Sequence, residues 1–492
     1  MKFPIFKKKP VNPSPASAVK EKGHPKAVDN RNVSREEVER RINQILSAYR
    51  NASALIDGIP ERYIPAAAKN IMKSYLLENK KVREFIYGLE HRRPPRFMIV
   101  GRTGVGKSSL INAMLGVYAA ETSAVQIGTK DVSRHEYRVE GQTSIEVLDT
   151  RGVGESFDTP EEGKESAETA LMQAIQSFSP DGILFVVPCA NRDRLNQDAK
   201  VVGRILKKYK KAHGTEIPVF VVLNRADETE PTQEKDPEKF SQRKLNNIQT
   251  AVTQVKRILE AQDIPYAAVE AVCSYIDWGY TPEELAQMSD EKRESLEMVY
   301  DGRYHIEELM TLLIDNLQVE ASMGLAMVGR AEIVLTRLAV SVVGMFSLAA
   351  SGVPVTNFSA ATPDSIALTG LQTIMVLFIS IIGGVKLSFK QACDYIAGFG
   401  GSFAAGRLFK ATSHVMSGAV VFLIQRFFPM VPAKFSALFL NCGLAGGGTA
   451  VIGLASVRHF IQGISLTKVK NEFGDNVKRK MSGMLKPKRD KK

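Results

Sequence analysis

The chain has 492 residues, enough for two or three domains, and its hydrophobic and charged fractions of 44% and 24% are ordinary for a globular protein. Its net charge of +12 is concentrated at the two ends, because residues 1–26 carry +6 and residues 468–492 carry +7. Charge on tails rather than on a folded element disfavours nucleic-acid binding, and four widely separated cysteines exclude a disulfide framework or a zinc site.

The first 93 residues divide into a tail and a helical segment. Residues 1–33 are rich in proline, lysine and serine, which predicts a disordered basic tail. Ser34 and Glu37 are spaced as a capping box, apolar residues recur after them at helical spacing, and a second helical pattern covers about 61–90. We therefore predict N-terminal helices over 34–93.

Residues 94–318 alternate between strand and helix patterns. Helical stretches separate five apolar runs that are typical of buried strands: 96–100, 144–150, 182–188, 218–224 and 266–274. Strands that alternate with helices usually form a parallel sheet covered on both faces. The sequence therefore predicts an α/β domain with a mostly parallel sheet and helices on both sides.

The segment GRTGVGKSS (101–109) follows the first strand, precedes a helix and fits G-x-x-x-x-G-K-[ST] in full. In this motif, the P-loop, backbone N–H groups close around phosphates, Lys107 would reach the β- and γ-phosphate oxygens, and the Ser108 hydroxyl would bind Mg²⁺. The predicted nucleotide contacts from this loop are Arg102, Thr103, Gly104, Val105, Gly106, Lys107, Ser108 and Ser109.

The segment DTRG (149–152) ends the second strand. Asp149 would hold Mg²⁺ through water, and the Gly152 N–H would sense the γ-phosphate. The next residue is Val153, at a position where a glutamine often orients the attacking water. Valine cannot polarise water, so we expect the missing group from elsewhere, in cis or across a dimer. The candidates are Arg151, Glu155, Arg192 and Arg194.

The segment NRAD follows the fourth apolar run and carries the base specificity. The Asp227 carboxylate can accept hydrogen bonds from guanine N1–H and N2–H, a pair that adenine does not offer, so it would select GTP over ATP. NRAD (224–227) begins a loop that we call the base loop. Asn224 would tie this loop to the phosphate loop (101–109), and the aliphatic stem of Arg225 can lie along the purine.

The remaining nucleotide contacts depend on weaker signals. Cys273 and Ser274 would supply a backbone N–H to guanine O6. Thr129 is the predicted second Mg²⁺ ligand, with Thr122 and Ser123 as alternatives. The residues expected to act in catalysis are Lys107, Thr129 and Gly152, and those expected to hold Mg²⁺ are Ser108, Thr129 and Asp149.

These motifs, in this order, resemble those of the translation-factor-related GTPases and, within them, the Era-like branch, over roughly 96–318. The resemblance implies a Ras-type P-loop GTPase fold, binding of GTP or GDP with Mg²⁺, and slow hydrolysis to GDP and phosphate. The chain departs from the pattern at two positions. Arg225 stands where lysine is usual, and Gly104 stands where potassium-activated relatives carry asparagine, so potassium stimulation is not expected.

Residues 321–464 are poor in charge, with nine Lys or Arg and three Asp or Glu. The uncharged runs 365–385 and 435–457 reach the roughly 20 residues that a membrane-spanning helix needs. Over about 322–462 the segment resembles a helical domain of unknown function that bacteria fuse to Era-like GTPases and whose members are regarded as membrane-associated. We predict a hydrophobic all-α domain here, followed by a basic tail over 465–492.

This C-terminal domain and the basic tails predict association with the cytoplasmic side of the inner (plasma) membrane, peripheral or integral. If the helices span the membrane, the positive-inside tendency places both termini in the cytoplasm and requires an even number of passes. The alternative is a soluble bundle, such as a dimerisation module.

Three functions fit these features. The first, which we predict, is a GTPase switch that dimerises through its GTPase domain, has an unidentified protein partner and couples to a membrane. The second is a dynamin-like enzyme that remodels membranes. The third is a scaffold that binds GTP with negligible turnover, which Val153 would suit.

Overall fold

The structure of the chain is a computed structural model. The residues that it describes are 30, 33–126, 133–139, 141–150, 172–329, 331–353, 362–403, 420, 423–424, 426–428 and 443–473. Most of the two predicted basic tails lies outside these ranges. Residues 466–473, which fall within the predicted tail over 465–492, are helical instead, and Leu466, Val469 and Phe473 are buried against the hydrophobic core.

The helices predicted over 34–93 are present. They are α1 (Arg35–Arg50), α2 (Ala52–Asp57), α3 (Ala66–Leu77) and α4 (Lys80–Glu90). The Ser34 hydroxyl accepts the Glu37 N–H and caps α1. The Glu37 carboxylate pairs with Arg40 and Arg41 and does not close the capping box, because two guanidinium groups compete for it.

A seven-stranded sheet forms the central domain. Its strands are β1 (Arg96–Val100), β2 (Ala120–Gln126), β3 (Ser133–Val139), β4 (Gln142–Asp149), β5 (Gly182–Pro188), β6 (Val219–Asn224) and β7 (Ala268–Ala271), in the spatial order β2-β3-β4-β1-β5-β6-β7. Strands β4, β1, β5, β6 and β7 are parallel, which confirms the predicted sheet. The antiparallel edge strands β2 and β3 were not predicted, because their polar and charged residues form no apolar run.

Helices cover both faces of the sheet. One face carries α5 (Lys107–Leu115), and the other carries α6 (Leu195–His213) and α7 (Gln242–Ala261). Two short helices and a two-stranded ribbon follow: β8 (Ile276–Asp277), α8 (Pro282–Gln287), α9 (Asp290–Glu294) and β9 (Tyr300–Asp301). Helix α10 (Ile306–Asn316) then returns to the face of α5. The strands therefore bury side chains on both sides, as a parallel sheet requires.

The C-terminal region is helical. Its helices are α11 (Val319–Ala326), α12 (Ala331–Ser351), α13 (Pro363–Ile382), α14 (Phe389–Phe403) and α15 (Gly443–Phe460). Helices α12, α13 and α15 pack on one another, and α13 also packs on α1 and α3. The first and last helices of the chain thus share one hydrophobic core with one face of the sheet. The division at 34–93, 94–318 and 321–464 stays a prediction.

Two of the described helices, α12 and α13, are long and apolar enough to cross a membrane. Helix α13 corresponds to the predicted run 365–385, and α12 was not among the predicted spanning runs. Of the other predicted run, 435–457, residues 443–457 belong to α15 and the rest lies outside the described residues. In the most apolar stretch of α12, 89% of the residues are buried inside the protein, and in that of α13, 72%. Burial of this extent is also what the core helices of a soluble bundle show.

Gly324 allows α11 to approach the segment that leads into β1. A side-chain carbon at this position would lie 1.7 Å from the Arg93 carbonyl oxygen, and Arg93 is anchored to Asp181 by hydrogen bonds of 2.7 and 2.6 Å. Because the obstacle is backbone, Gly324→Ala should lower the free energy of unfolding, measured in urea, by about 1–3 kcal/mol. Gly203→Ala in α6, where the nearest atom would be 3.9 Å away, should be neutral or stabilise by up to about 1 kcal/mol. Equal stability of the two variants would contradict this account.

Candidate nucleotide-binding site

The loop between β1 and α5 has the geometry of a phosphate-binding loop. Gly104 and Gly106 have φ values of 83° and 87°, in the left-handed region that favours glycine. A side-chain carbon at Gly106 would lie 2.6 Å from Asn224 Nδ2, so only glycine allows this loop to contact the end of β6. Helix α5 has no side-chain cap, and its first-turn N–H groups can therefore bind phosphate.

Lys107 and Asp149 meet at the base of this loop. The Lys107 Nζ lies 3.5 Å from Asp149 Oδ1 and donates a 2.8 Å hydrogen bond to the Gly101 carbonyl oxygen. Both side chains are buried, at 8% and 6% exposure. The structure thus brings together the predicted phosphate ligand at the start of α5 and the predicted Mg²⁺ ligand at the end of β4.

The other predicted P-loop residues divide by exposure. Thr103, Gly104 and Ser109 are exposed, whereas Val105 is buried. The Arg102 guanidinium makes a two-pronged contact with Asp198 of α6, with N–O distances of 2.8 to 3.0 Å. Arg102 therefore fixes the loop to α6 through its side chain, and only its backbone remains for the predicted nucleotide contact.

The oxygen donors at the loop fit a magnesium ion. Ser108 lies in the first turn of α5, and Asp149 is the last residue of β4. Hydroxyl and carboxylate oxygens are both ligands that Mg²⁺ accepts. No cluster of three His, Cys, Asp or Glu side chains suited to a metal occurs in the described ranges. This donor set suits an ion that is held by one or two side chains together with nucleotide phosphates.

Asn224 joins the base loop to the phosphate loop, as its predicted role requires. Its fully buried Nδ2 donates to the Val105 and Gly106 carbonyl oxygens at 3.0 and 3.3 Å. Its Oδ1 accepts the Ser274 hydroxyl at 3.0 Å and the Arg225 N–H at 2.9 Å. Both loops are therefore positioned by one amide.

Asp227 lies beside this amide and has two partners. Lys235 Nζ is 3.0 Å from Asp227 Oδ2, and the Cys273 thiol donates to Oδ1 at 3.2 Å. The Arg225 guanidinium donates to the Gly104 carbonyl oxygen and thereby spans the mouth between the two loops. The Asp227 carboxylate, which is predicted to recognise the base, and the phosphate loop therefore border a single site.

One of the predicted nucleotide contacts, the backbone N–H of Cys273, is already hydrogen-bonded within the protein. The Cys273 N–H donates to the Tyr304 carbonyl oxygen at 3.1 Å, because residues 273 and 304 form an isolated antiparallel bridge. The Cys273 amide is therefore engaged, and of the two predicted residues only Ser274 remains a candidate for guanine O6.

Several predicted residues lie outside the described residues. They are Thr129, Arg151, Gly152, Val153 and Glu155, and for Thr122 and Ser123 only the backbone of β2 is described. Of the two remaining arginines, Arg192 donates to the Cys189 carbonyl oxygen and to Gln254 Oε1. Arg194 is exposed, and its side chain makes no hydrogen bond or ion pair with the part of the chain that is described.

Two lysines at the base loop were not predicted. Lys235 pairs with Asp227 from an exposed loop, and no local pattern marks such a contact. Lys244 is fully buried in α7, four residues before the buried Ile248 and three after Ser241, which caps the helix. A lysine in the apolar register of an amphipathic helix is the signal that could have identified it.

The Cys273 thiol should resist alkylation in the folded protein. Burial and the neighbouring Asp227 carboxylate raise the pKa of Cys273 from 9.0 to about 12. The unfolded chain therefore loses this thiol proton at a lower pH than the folded chain does. The stabilisation that the protonated thiol gives the fold is fully present below pH 9 and is lost as the pH rises from 9 towards 12. At pH 8 the folded chain should hold roughly 1000-fold less thiolate at this position than the unfolded chain. Peptide mapping after iodoacetamide treatment should show slow labelling of Cys273 until guanidinium is added. Labelling as fast as that of the partly exposed Cys393 would contradict this.

Comparison with known proteins shows that the central part of the chain is similar to GTPases. The family model described as 50S ribosome-binding GTPase matches residues 96–225. GTPase Der of Staphylococcus aureus (strain JH9) is 31% identical over 144 residues, which cover 29% of this chain and 29% of that protein. The Der protein of strain Newman gives the same figures. The chain thus spans less than a third of the length of these relatives, and the finer assignment to the Era-like branch stays a prediction.

Two solved structures show distant similarity. The G domain of the FeoB iron transporter of T. maritima is 18% identical, with a TM-score of 0.22, over 37% of this chain and 89% of that chain. A dimerization-deficient mutant of Toc33 from Arabidopsis thaliana is also 18% identical, with a TM-score of 0.24, over 56% of this chain and 94% of that chain. Identities and scores this low carry no information on function.

The family match covers the first strand, the phosphate loop and the start of the base loop, which are the elements that build the site described above. The central part of this chain is therefore a P-loop GTPase domain with distant similarity to the Der GTPases.

Proposed function

We propose that the chain binds GTP with Mg²⁺, hydrolyses it to GDP and phosphate, and couples its nucleotide state to a membrane through its C-terminal helices. The observation that carries the nucleotide part is the double contact of Asn224 Nδ2 with the carbonyl oxygens of Val105 and Gly106. This contact places Asp227, which can read guanine, next to the loop that can hold phosphates. GTP and GDP are ligands that present both groups at one site.

Different residues at the phosphate loop would bind the phosphates and the Mg²⁺ ion. Lys107 and the first N–H groups of α5 would neutralise the β- and γ-phosphate oxygens. Ser108 and Asp149, with the predicted Thr129, would hold Mg²⁺, which supplies positive charge to the same oxygens when it is bound. Gly152 would donate its N–H to the γ-phosphate. Binding in this way fixes the phosphates for attack by water.

We also propose that the group missing at Val153 comes from Arg194 of a second copy in a homodimer. Arg192 is held by Cys189 and Gln254, whereas Arg194 is exposed near the start of α6, the helix to which Arg102 of the phosphate loop is fixed. An arginine that reaches the γ-phosphate stabilises the charge that develops there. The exposure of Arg194, one helical turn from the Asp198 carboxylate that binds Arg102 of the phosphate loop, supports this role.

Phosphate release at rising protein concentration tests the enzymatic part. The rate per molecule should increase with concentration, and Arg194→Ala should lower it roughly 100-fold without changing GDP affinity. Arg257→Ala, an exposed arginine on α7, is the matched control and should behave as the wild type. Release that stays at the buffer level at every concentration would leave a GTP-binding scaffold and overturn the proposal of hydrolysis.

The membrane part of the proposal is supported by the length and composition of α12 and α13 and by the basic ends of the chain. Washing cell membranes with alkaline carbonate distinguishes integral helices from peripheral association and from a soluble bundle. We expect the protein to stay in the pellet, with both termini accessible only from the cytoplasmic side. Complete release into the wash would exclude integral helices, and a protein found soluble before the wash would favour the soluble bundle.

A further inference from the structure

Lys244 is a buried cation at the centre of the base loop. Its side chain has 0% exposure, and its Nζ donates to the carbonyl oxygens of Asp227 at 2.8 Å, Thr229 at 2.6 Å and Pro231 at 3.0 Å. An ammonium group has three N–H donors, and each of them has found one acceptor here. The three acceptors are alternate residues of one loop, which therefore wraps around a single charge.

Within the described ranges this charge has no close counter-ion. Among the described residues no carboxylate lies within 4.0 Å of Lys244 Nζ, although the Phe240 ring lies 4.9 Å from it. Burial lowers the pKa of Lys244; Asp227, Glu234 and Glu230 act in the opposite direction and Lys235 adds to the lowering. A buried cation is expensive unless polar groups replace its water, and here backbone carbonyls do so.

The carbonyl of Asp227 is one of the three, so Lys244 acts on the residue that reads the base. The Asp227 side chain itself is held by two weak partners, the exposed Lys235 and the Cys273 thiol. Its backbone is fixed by Lys244 on one side, and Asn224 fixes the loop to Val105 and Gly106 on the other. Loss of the ammonium would remove the shortest hydrogen bond from each of the three carbonyl oxygens. Pro231 O would keep only the Glu234 N–H at 3.2 Å and Asp227 O only Lys235 Nζ at 3.5 Å, so the loop should loosen.

We propose that Lys244 is a positioning residue for guanine recognition, whose ammonium group organises the loop 227–231 so that the Asp227 carboxylate faces the base. This inference rests on the proposed GTP binding. Lys244 contacts neither base nor phosphate in this role. Its effect should therefore fall on discrimination between bases more than on the binding of phosphates.

The test compares GDP with inosine diphosphate, which lacks the 2-amino group that Asp227 reads. Lys244→Met, which keeps the length and removes the charge, should weaken GDP binding about 10- to 100-fold and inosine diphosphate binding much less. Lys244→Gln retains an amide N–H₂ group that can donate to the carbonyl oxygens, so its GDP affinity should lie between those of the wild type and Lys244→Met. Lys256→Met, on the same helix, is the matched control and should leave both affinities unchanged.

Ammonium ions provide a rescue that a general loss of structure would not show. Lys244→Ala leaves a space bounded by three carbonyl oxygens, and the distances of 2.6 to 3.0 Å suit an ammonium ion. Ammonium chloride should restore GDP affinity to this variant, whereas tetramethylammonium chloride at equal ionic strength should not. Unchanged discrimination in folded Lys244→Met and Lys244→Gln, or absence of rescue, would overturn the inference. Failure of the wild type to bind GDP would instead overturn the proposed function.

Discussion

Lys107→Ala should weaken the binding of both GDP and GTP by roughly 100-fold or more. Lys107 is the buried cation at the start of α5, and its Nζ is held 2.8 Å from the Gly101 carbonyl oxygen and 3.5 Å from Asp149. A phosphate in the loop would replace the Gly101 carbonyl as its partner. Alanine removes the charge-assisted hydrogen bond and leaves the loop with backbone N–H groups alone. Titration calorimetry with GDP measures the change directly.

The control must separate lost binding from lost folding, because removal of Lys107 takes a cation away from the buried Asp149. Thermal unfolding of the variant without nucleotide shows whether the domain is intact. Lys239→Ala, a lysine with 81% side-chain exposure, should bind GDP as the wild type does. A folded Lys107→Ala variant with wild-type affinity for GDP would rule out the phosphate site.

The parts of the site that could be predicted from the sequence are those built from contiguous residues. A P-loop is one short segment in which glycines permit a tight turn and a helix starts at the lysine, so GRTGVGKSS predicts its own conformation. NRAD likewise ends a strand whose apolar run identifies it. Placement of both at the carboxyl ends of parallel strands follows from the alternating pattern of strands and helices.

The contacts that escaped prediction join residues far apart in the chain. Arg102 pairs with Asp198, and Lys244 reaches back to the loop after β6. The Cys273 amide, expected at guanine O6, is taken by Tyr304, and that pairing needs the fold to bring two loops together. The antiparallel strands β2 and β3 were not predicted for a different reason. Strands with one solvated face carry polar residues and lack a continuous apolar run.

The apolar helices show why composition does not decide between a membrane and a core. The sequence shows that α13 carries no charge after Asp364, but it cannot show that α1 and α3 pack on this helix. Arg337, inside α12, is 2% exposed and pairs with Glu307 of α10, so a charge that would be costly in lipid is satisfied within the protein. Helices packed in this way occur in soluble bundles and in membrane bundles alike, so the hydropathy pattern alone does not assign them to either.

Asp227→Asn should change the base that the site prefers. Asparagine keeps one oxygen acceptor but replaces the other with an amino group, which repels the guanine 2-amino group and can donate to the 2-oxo group of xanthine. We expect GDP affinity to fall about 100-fold and xanthosine diphosphate affinity to rise, so that the preference reverses by roughly three orders of magnitude. Competition between the two nucleotides for one fluorescent analogue measures both affinities.

Lys235 provides the control for this substitution. It pairs with Asp227 at 3.0 Å, and Asp227→Asn removes that ion pair as well as the acceptor. The lysine side chain is 55% exposed, and an ion pair of this kind contributes about 0–1 kcal/mol, so Lys235→Ala should change GDP affinity by no more than about five-fold. It should leave the preference for guanine intact, because the carboxylate remains. If Lys235→Ala reversed the preference, or if the wild type bound ATP as tightly as GTP, base selection could not be assigned to the Asp227 carboxylate.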